Sequence, residues 1–253
     1  MRRVATRLTQ TRAVPVAAPV LAIFAHPDDA ELACGASMAL LAASGRPVHI
    51  VTVCRGDKGA GEPTDGDALA ERRAAESRRA AQALGVATWT SLGRGDGEVD
   101  NDGPLRAVLV EQVRSIRPDL VITGDPTASF FGGQYVNHRD HRQVGWAVLD
   151  AVAPAAANPN YFPSAGAPHH VRELWLANSL EPDHWVDVAD VLAAKAAAVW
   201  CHRSQLGAGG EIELGDDGDQ QELLRAMLTE RAASEGRRGG YSAAEGFRRL
   251  ALA

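Results

Sequence analysis

Two short clusters in this sequence combine residue types that can do chemistry. The first, His26-Pro27-Asp28-Asp29, follows the apolar run Val20 to Ala25, and the second, His138-Arg139-Asp140-His141, lies within "YVNHRDHRQ". Adjacent carboxylates repel each other and are costly to bury unpaired beside an apolar segment. A cation placed between the clusters relieves both problems. His26 and Asp29 are three residues apart, so around a helical first turn both side chains reach one point. His138 and His141 repeat that spacing, with Asp140 between them. One histidine, one aspartate and one further histidine leave a coordination position open for water, as in a catalytic zinc site. A closed structural site takes four protein ligands, usually with cysteine among them.

Blander readings exist for each residue. Asp28 suits a helix N-cap, and Asp29 the positive end of a helix dipole. That account leaves His26 and the second histidine pair without a role, so the metal-site reading is preferred. Cys34 reads as a small buried helix residue and His49 as a structural strand histidine, while His169, His170 and His184 read as surface or strand-edge residues. "DGEVDND" (96–102) lacks the spacing of a calcium loop and reads as a solvated turn. Gly56, Gly59 and Gly61 do not join the first strand to its helix, which removes a dinucleotide fingerprint. No Gly-x-Ser-x-Gly elbow marks a serine hydrolase. Arg55 and Asp57 follow the second strand and carry groups suited to sugar hydroxyls, so they are candidate substrate-binding residues, with a salt-bridged loop as the alternative.

The elements that must position these clusters are legible as an alternation. Strands are expected at 19–25, 46–54, 87–92, 117–126, 170–178 and 184–188, and helices at 28–44, 68–84, 104–116, 142–153 and 189–201. Such alternation predicts an α/β, Rossmann-like fold: a mostly parallel sheet with helices on both faces. Ligands then bind beyond the carboxyl ends of the strands, where both clusters fall. A chain of 253 residues, 45% hydrophobic, suits one large domain. It divides into an N-terminal arm over 1–18, a catalytic domain over 19–206 and a Gly- and charge-rich extension over 207–253, packed on or continuing that domain. Loops 55–67, 93–103, 126–137 and 154–170 are expected to wall a pocket, with Tyr161 and Phe162 either covering a ligand or packing on the domain.

Composition narrows the partners. The net charge is −6 and the basic residues are scattered, which argues against nucleic acid. Three well-separated cysteines, Cys34, Cys54 and Cys201, suit a reducing cytoplasm rather than a disulfide framework. Met1-Arg2-Arg3 and the apolar residues after it mimic a secretion signal, but they lead directly into the His26 cluster and read as a loose arm before the first strand. No apolar run has the length of a membrane span.

Taken together, "AHPDDAELACGA" (25–36) and "NHRDHR" (137–142) resemble the LmbE-like, or PIG-L, family of zinc-dependent N-deacetylases. Weaker likenesses in "VTVCRGDKGA" (51–60) and "KAAAVWCHRSQL" (195–206) extend the resemblance over residues 19–206. It implies His26, Asp29 and His141 as ligands of Zn2+, with Fe2+ and other divalent ions also suited to such donors. It implies Asp28 as general base and His138 as the group that polarises or protonates the reacting centre, a protonated ring placing positive charge near the oxyanion. Asp140 is then an outer partner that orients one histidine. Ala30 stands where many relatives carry glutamate, with Glu31 directly after it. The implied substrate is an N-acetylated amino sugar or glycoconjugate such as an N-acetylglucosaminyl compound. Alternatives are an amidase acting on a thiol conjugate and a non-catalytic sugar- or nucleotide-binding module with a vestigial metal site. Binding alone would need neither the base nor the polarising histidine, so the complete set favours catalysis.

Overall fold

The strand that leads into the first cluster, β1 (Val20–Phe24), is buried along its whole length because both faces and both edges are covered. Leu21 and Ile23 join one core, while Val20, Ala22 and Phe24 join another on the opposite face. This is the period-2 pattern of a strand at the centre of a two-sided sheet. A computed structural model describes residues 17–206 and 217–252. Through residue 16 the expected N-terminal arm lies outside the described residues, as does the stretch 207–216 of the extension.

Each strand of the first half is followed by a helix that returns over the sheet. In order these are α1 (Asp29–Ala43), β2 (Val48–Cys54), α2 (Gly66–Ala83), β3 (Thr88–Arg94), α3 (Gly103–Ile116) and β4 (Leu120–Gly124). A small hairpin follows, β5 (Phe130–Phe131) with β6 (Tyr135–Val136), and then α4 (Arg139–Asp150). The remainder comprises β7 (Glu173–Ala177), β8 (His184–Asp187), α5 (Leu192–Trp200), α6 (Asp217–Gly239) and β9 (Ala244–Ala251). The main sheet runs β3-β2-β1-β4-β7-β9-β8. Its first five strands are parallel, and β9 runs antiparallel to both of its neighbours. Helix α4 begins three residues before the expected start, because the His138 ring accepts the Asp140 N–H at 3.2 Å and caps it there. The second cluster therefore occupies a helical first turn rather than a loop.

The extension supplies a helix and an interior strand of the same sheet. β9 also grips the helix that carries Asp29. Helix α1 departs from helical geometry at Cys34, which frees N–H groups one turn later. The buried carboxylate of Glu245 accepts from Ala36 N–H at 3.2 Å and Ser37 N–H at 2.7 Å, so it caps the second half of the helix. Lys195 from α5 neutralises it at 2.6 Å, and both side chains are about 5% exposed. Removing one partner of a buried, hydrogen-bonded pair leaves the other charged and unpaired. Glu245→Ala is accordingly expected to lower unfolding free energy by about 3–5 kcal/mol in urea titrations. A loss below about 1 kcal/mol, the range of exposed pairs, would show that the pair does not brace the helix.

Candidate active site

β1 lies between β2, which follows it in sequence, and β4, which returns to its other edge. Chain direction across the sheet reverses there, opening a crevice beyond the carboxyl ends of β1 and β4. Both clusters project into that crevice. His26 Nδ1 lies 3.1 Å from His141 Nε2, His141 Nε2 3.2 Å from Asp29 Oδ1, and His26 Nδ1 3.5 Å from Asp29 Oδ2. Tetrahedral ligands about 2.0–2.1 Å from a zinc ion stand roughly 3.3 Å apart, so the two ring nitrogens have the spacing of such a site, with one Asp29 oxygen beside each of them.

The outer partners decide which nitrogens carry protons. His26 Nε2 faces two carboxylates, Asp96 Oδ1 at 3.1 Å and Asp140 Oδ2 at 3.2 Å, and so takes the proton. Nδ1 is then the nitrogen directed at the centre, and it offers a lone pair there when the ring is neutral. His141 Nδ1 donates to Asn137 Oδ1 at 2.9 Å, and the Asn137 amide is oriented by donating to the Ala128 carbonyl at 2.8 Å. His141 Nε2 is left as a second lone pair. Asp29 is itself fixed, since its Oδ2 accepts the His26 N–H at 2.7 Å. Once His26 gives up its second proton, two imidazole lone pairs and a carboxylate converge, a donor set that fits a divalent cation.

Charge follows the same logic. Burial works against an ionised Asp29, but His141 and His26 outweigh it and hold its carboxyl well below the usual range. Burial likewise opposes ionisation of Asp140, yet the His26 ring and the Gly97 N–H, which donates at 2.6 Å, hold it down to about 2. For Asp96, burial is again outweighed by His26. Burial pushes the Cys54 thiol up to about 11, so it stays protonated and donates to Asp140 at 3.5 Å. Burial would lower the His26 pKa, but Asp140, Asp29 and Asp96 together raise it well above the ordinary value.

The remaining expected residues fall as follows. Asp28 adopts a left-handed backbone (φ 110°) and its side chain makes no cap to the helix N-terminus, which removes the N-cap reading. Instead its Oδ2 accepts from Arg73 Nη2 at 3.2 Å, and the same nitrogen donates to the Pro27 carbonyl at 2.6 Å. The rings of His138 and His26 stand edge to face at 4.7 Å. Asp28, His138, His26, Arg73, Asp96 and Lys58 line a cavity of about 390 Å³. A second cavity, of about 250 Å³, opens on the side of Asp29 and His141.

Several expectations are corrected. Arg55 and Asp57 line neither cavity. Opposite charges two residues apart on a loop pair with each other, here at 3.0 Å, while Arg55 also holds Asp67 and Asp57 accepts the Asp96 N–H. The supposed solvated turn 96–102 delivers Asp96 to His26 with only 8% exposure. Loop 154–170 also lines neither cavity; the buried guanidinium of Arg114 gathers the carbonyls of Ala155, Ala156, Asn158, Tyr161 and Phe162 away from the site. Sequence reasoning missed Arg73, although it shares the buried face of α2 with Leu69, Glu76 and Ala80 at helical spacing. His49 bonds Thr88 at 2.8 Å and Cys34 is buried, both in structural roles as expected.

Comparison with known proteins bears on this arrangement. Residues 21–152 match the family model of PIG-L, GlcNAc-PI de-N-acetylase. A diacetylchitobiose deacetylase of Thermococcus kodakarensis is 32% identical over 237 residues, covering 90% of this chain and 82% of that protein. A 1D-myo-inositol 2-acetamido-2-deoxy-alpha-D-glucopyranoside deacetylase of Kineococcus radiotolerans is 32% identical over 188 residues; the match covers 62% of this chain and half of that longer protein. Among solved structures, the N,N'-diacetylchitobiose deacetylase of Pyrococcus horikoshii superposes with a TM-score of 0.79 at 27% identity, covering 93% of this chain and 84% of that one. The 4-carboxy-2-hydroxymuconate hydratase GalB of Pseudomonas putida, at 21% identity and a TM-score of 0.70 over 93% of this chain and 97% of that one, shares the fold alone.

An ion at His26 must displace the proton that the surrounding carboxylates favour there. Apparent affinity for zinc is therefore expected to rise about tenfold per pH unit for that proton, below the raised His26 pKa and levelling above it. Competition with a chromophoric chelator between pH 6 and 8 measures the slope. A flat profile would remove His26 from the ligand set. Asp140→Asn is expected to weaken zinc binding about 10–100-fold in the same assay by disturbing the His26 tautomer.

Proposed function

The chain belongs to the PIG-L, or LmbE-like, family, and from that premise we propose that it hydrolyses the N-acetyl group of N-acetylglucosaminyl compounds, using zinc held by His26, Asp29 and His141. The observation that carries this reading is the convergence of two imidazole nitrogens and one carboxylate beside a second, buried carboxylate, Asp28. The substrate class is supported by relatives named as deacetylases of diacetylchitobiose and of an inositol 2-acetamido-2-deoxyglucopyranoside. Neither a thiol-conjugate amidase nor a non-catalytic module finds comparable support among them.

A divalent ion bound there supplies Lewis acidity, polarising the acetamide carbonyl and making water acidic enough to deprotonate near pH 7. The protein's residues do the rest. Asp28 takes the proton as water oxygen attacks the carbonyl carbon, and passes it to the amine nitrogen as the C–N bond breaks and acetate leaves. Arg73 orients that carboxylate from behind. Of the two expected roles, polarising or protonating, His138 takes the first, as a neutral donor. Its Nδ1 accepts the Asp140 N–H, so a neutral ring carries its proton on Nε2. Burial first, and then the nearby His26 and His141, lower its pKa below the ordinary value. An Nε2–H directed into the cavity stabilises the oxyanion without the cost of charging the ring. Asp140 orients His26 at 3.2 Å. We place the reaction in the cytoplasm on the free thiols of Cys34, Cys54 and Cys201; no helix among the described residues is long and apolar enough to cross a membrane.

Acetate release from N-acetylglucosamine and diacetylchitobiose, measured after chelation and again after adding zinc, tests this reading. Zinc is expected to restore release. Asp28→Asn is expected to lower kcat about 10²–10⁴-fold and His138→Ala about 10²–10³-fold. Restored release that survives Asp28→Asn within tenfold would place the base elsewhere.

A further inference from the structure

The cavity that begins at Asp29 and His141 shares Phe131, Asn178 and Arg231 with an adjoining cavity of about 300 Å³ lined by residues of α6 and β9. A groove therefore runs from the metal ligands onto the C-terminal helix. Three cations line it. Lys195 is neutralised by Glu245 at 2.6 Å and Arg238 by Glu235 at 2.8 Å. Arg231 has no carboxylate partner among the described residues, and it bonds a neutral group, Nη2 donating to Asn178 Oδ1 at 2.7 Å. Two further carboxylates line the groove near the metal ligands and both are committed. Asp125 accepts from Thr127 N–H, Thr127 Oγ1 and Ser179 Oγ, and Asp29 serves the histidines.

Asn178 sits directly after β7 with a left-handed backbone (φ 54°), a conformation asparagine tolerates better than most residues. It thereby holds one edge of a guanidinium and leaves the remaining N–H donors for a ligand. A planar fork of donors next to an already committed set of acids is suited to a bidentate oxyanion. Building on the deacetylase reading, we propose that Arg231 forms a subsite for an anionic group, phosphate or carboxylate, carried by the N-acetylated sugar or its aglycone. Arg231 lies beyond residues 21–152, so this subsite comes from a part of the chain outside the segment that the family model matches.

The test compares kcat/KM for acetate release from N-acetylglucosamine, its 1-phosphate, its 6-phosphate and N-acetylmuramic acid. The two phosphates and the carboxylate distinguish the nature and position of the anion. At least one anionic compound is expected to exceed the neutral sugar about tenfold or more, as a charge-assisted pair implies. Arg231→Gln is expected to bring that ratio close to one and Arg231→Lys to keep part of it. No anionic preference, or a preference that Arg231→Gln leaves intact, overturns the subsite. Calorimetric binding of glucosamine 1-phosphate and 6-phosphate reads the subsite without turnover, with about fivefold or greater weakening expected in Arg231→Gln. Neutral sugar deacetylated with no Arg231-dependent preference or binding would overturn the subsite and spare the deacetylase reading. Arg231-dependent binding with no acetate released from any compound would do the reverse, and absence of both would overturn both.

Discussion

An imidazole has two nitrogens, and the centre depends on how His26 divides them. Asp96 and Asp140 claim Nε2, so Nδ1 is the nitrogen left to face Asp29 and His141, and the one that supplies a lone pair when the ring is neutral. Each other residue near the ring serves that division. Gly97 and Cys54 donate to Asp140 and keep it ionised, and Asp140 also lends its N–H to the ring of His138. One aspartate thereby fixes the tautomer of two histidines with opposite needs, since His26 must present a lone pair inward and His138 a proton. A structural constraint at the end of β1 and another at the start of α4 are thus the same constraint.

Packing so many carboxylates into one crevice is sustainable only because each has a basic partner, with His26 shared by three of them. Asp29 is balanced by the two histidines, Asp96 and Asp140 by His26, and Asp28 by Arg73. The Asp28–Arg73 pair is almost fully buried, and Arg73 also donates to the Pro27 carbonyl, so the guanidinium holds both the carboxylate and the strained turn beneath it. Left-handed backbone at a non-glycine residue costs of order 1–3 kcal/mol and persists where the surroundings over-determine it. At Asp28 the surroundings are Arg73 and the strand-to-helix junction, and the strain aims the carboxylate away from the helix cap into the cavity.

What could be read from the sequence followed from what has a period or a fixed spacing. β1, β2 and β4 declare themselves as apolar runs, and the two histidine clusters as motifs set after such runs. Arg73 has a period too, that of the buried face of α2, but its charge disguises it among Arg72, Arg78 and Arg79. Asp96 has none: a loop residue reaches its partner through the path of the chain, and Asp96 looks no different in sequence from Asp100 or Asp102. The Arg55–Asp57 pair misled because local partners satisfy charges before a distant ligand can. β9 escaped because Phe247 is its one large, fully buried side chain; its other buried positions are Ala244 and the paired Glu245, and Leu250 packs on the core only partly buried.

That last strand has a consequence for how the protein comes into being. β9 follows every other strand in sequence, yet it is seated between β7 and β8, and its Glu245 caps the helix that starts at Asp29. On the ribosome, β1 to β4 can emerge and pair while that helix still lacks its clamp and α6 has not yet presented Arg231. The centre can be fully ordered only after synthesis has passed residue 251. Until then β7 and β8 each expose an edge that β9 will later fill, and a nascent chain in that state is the form a chaperone would meet.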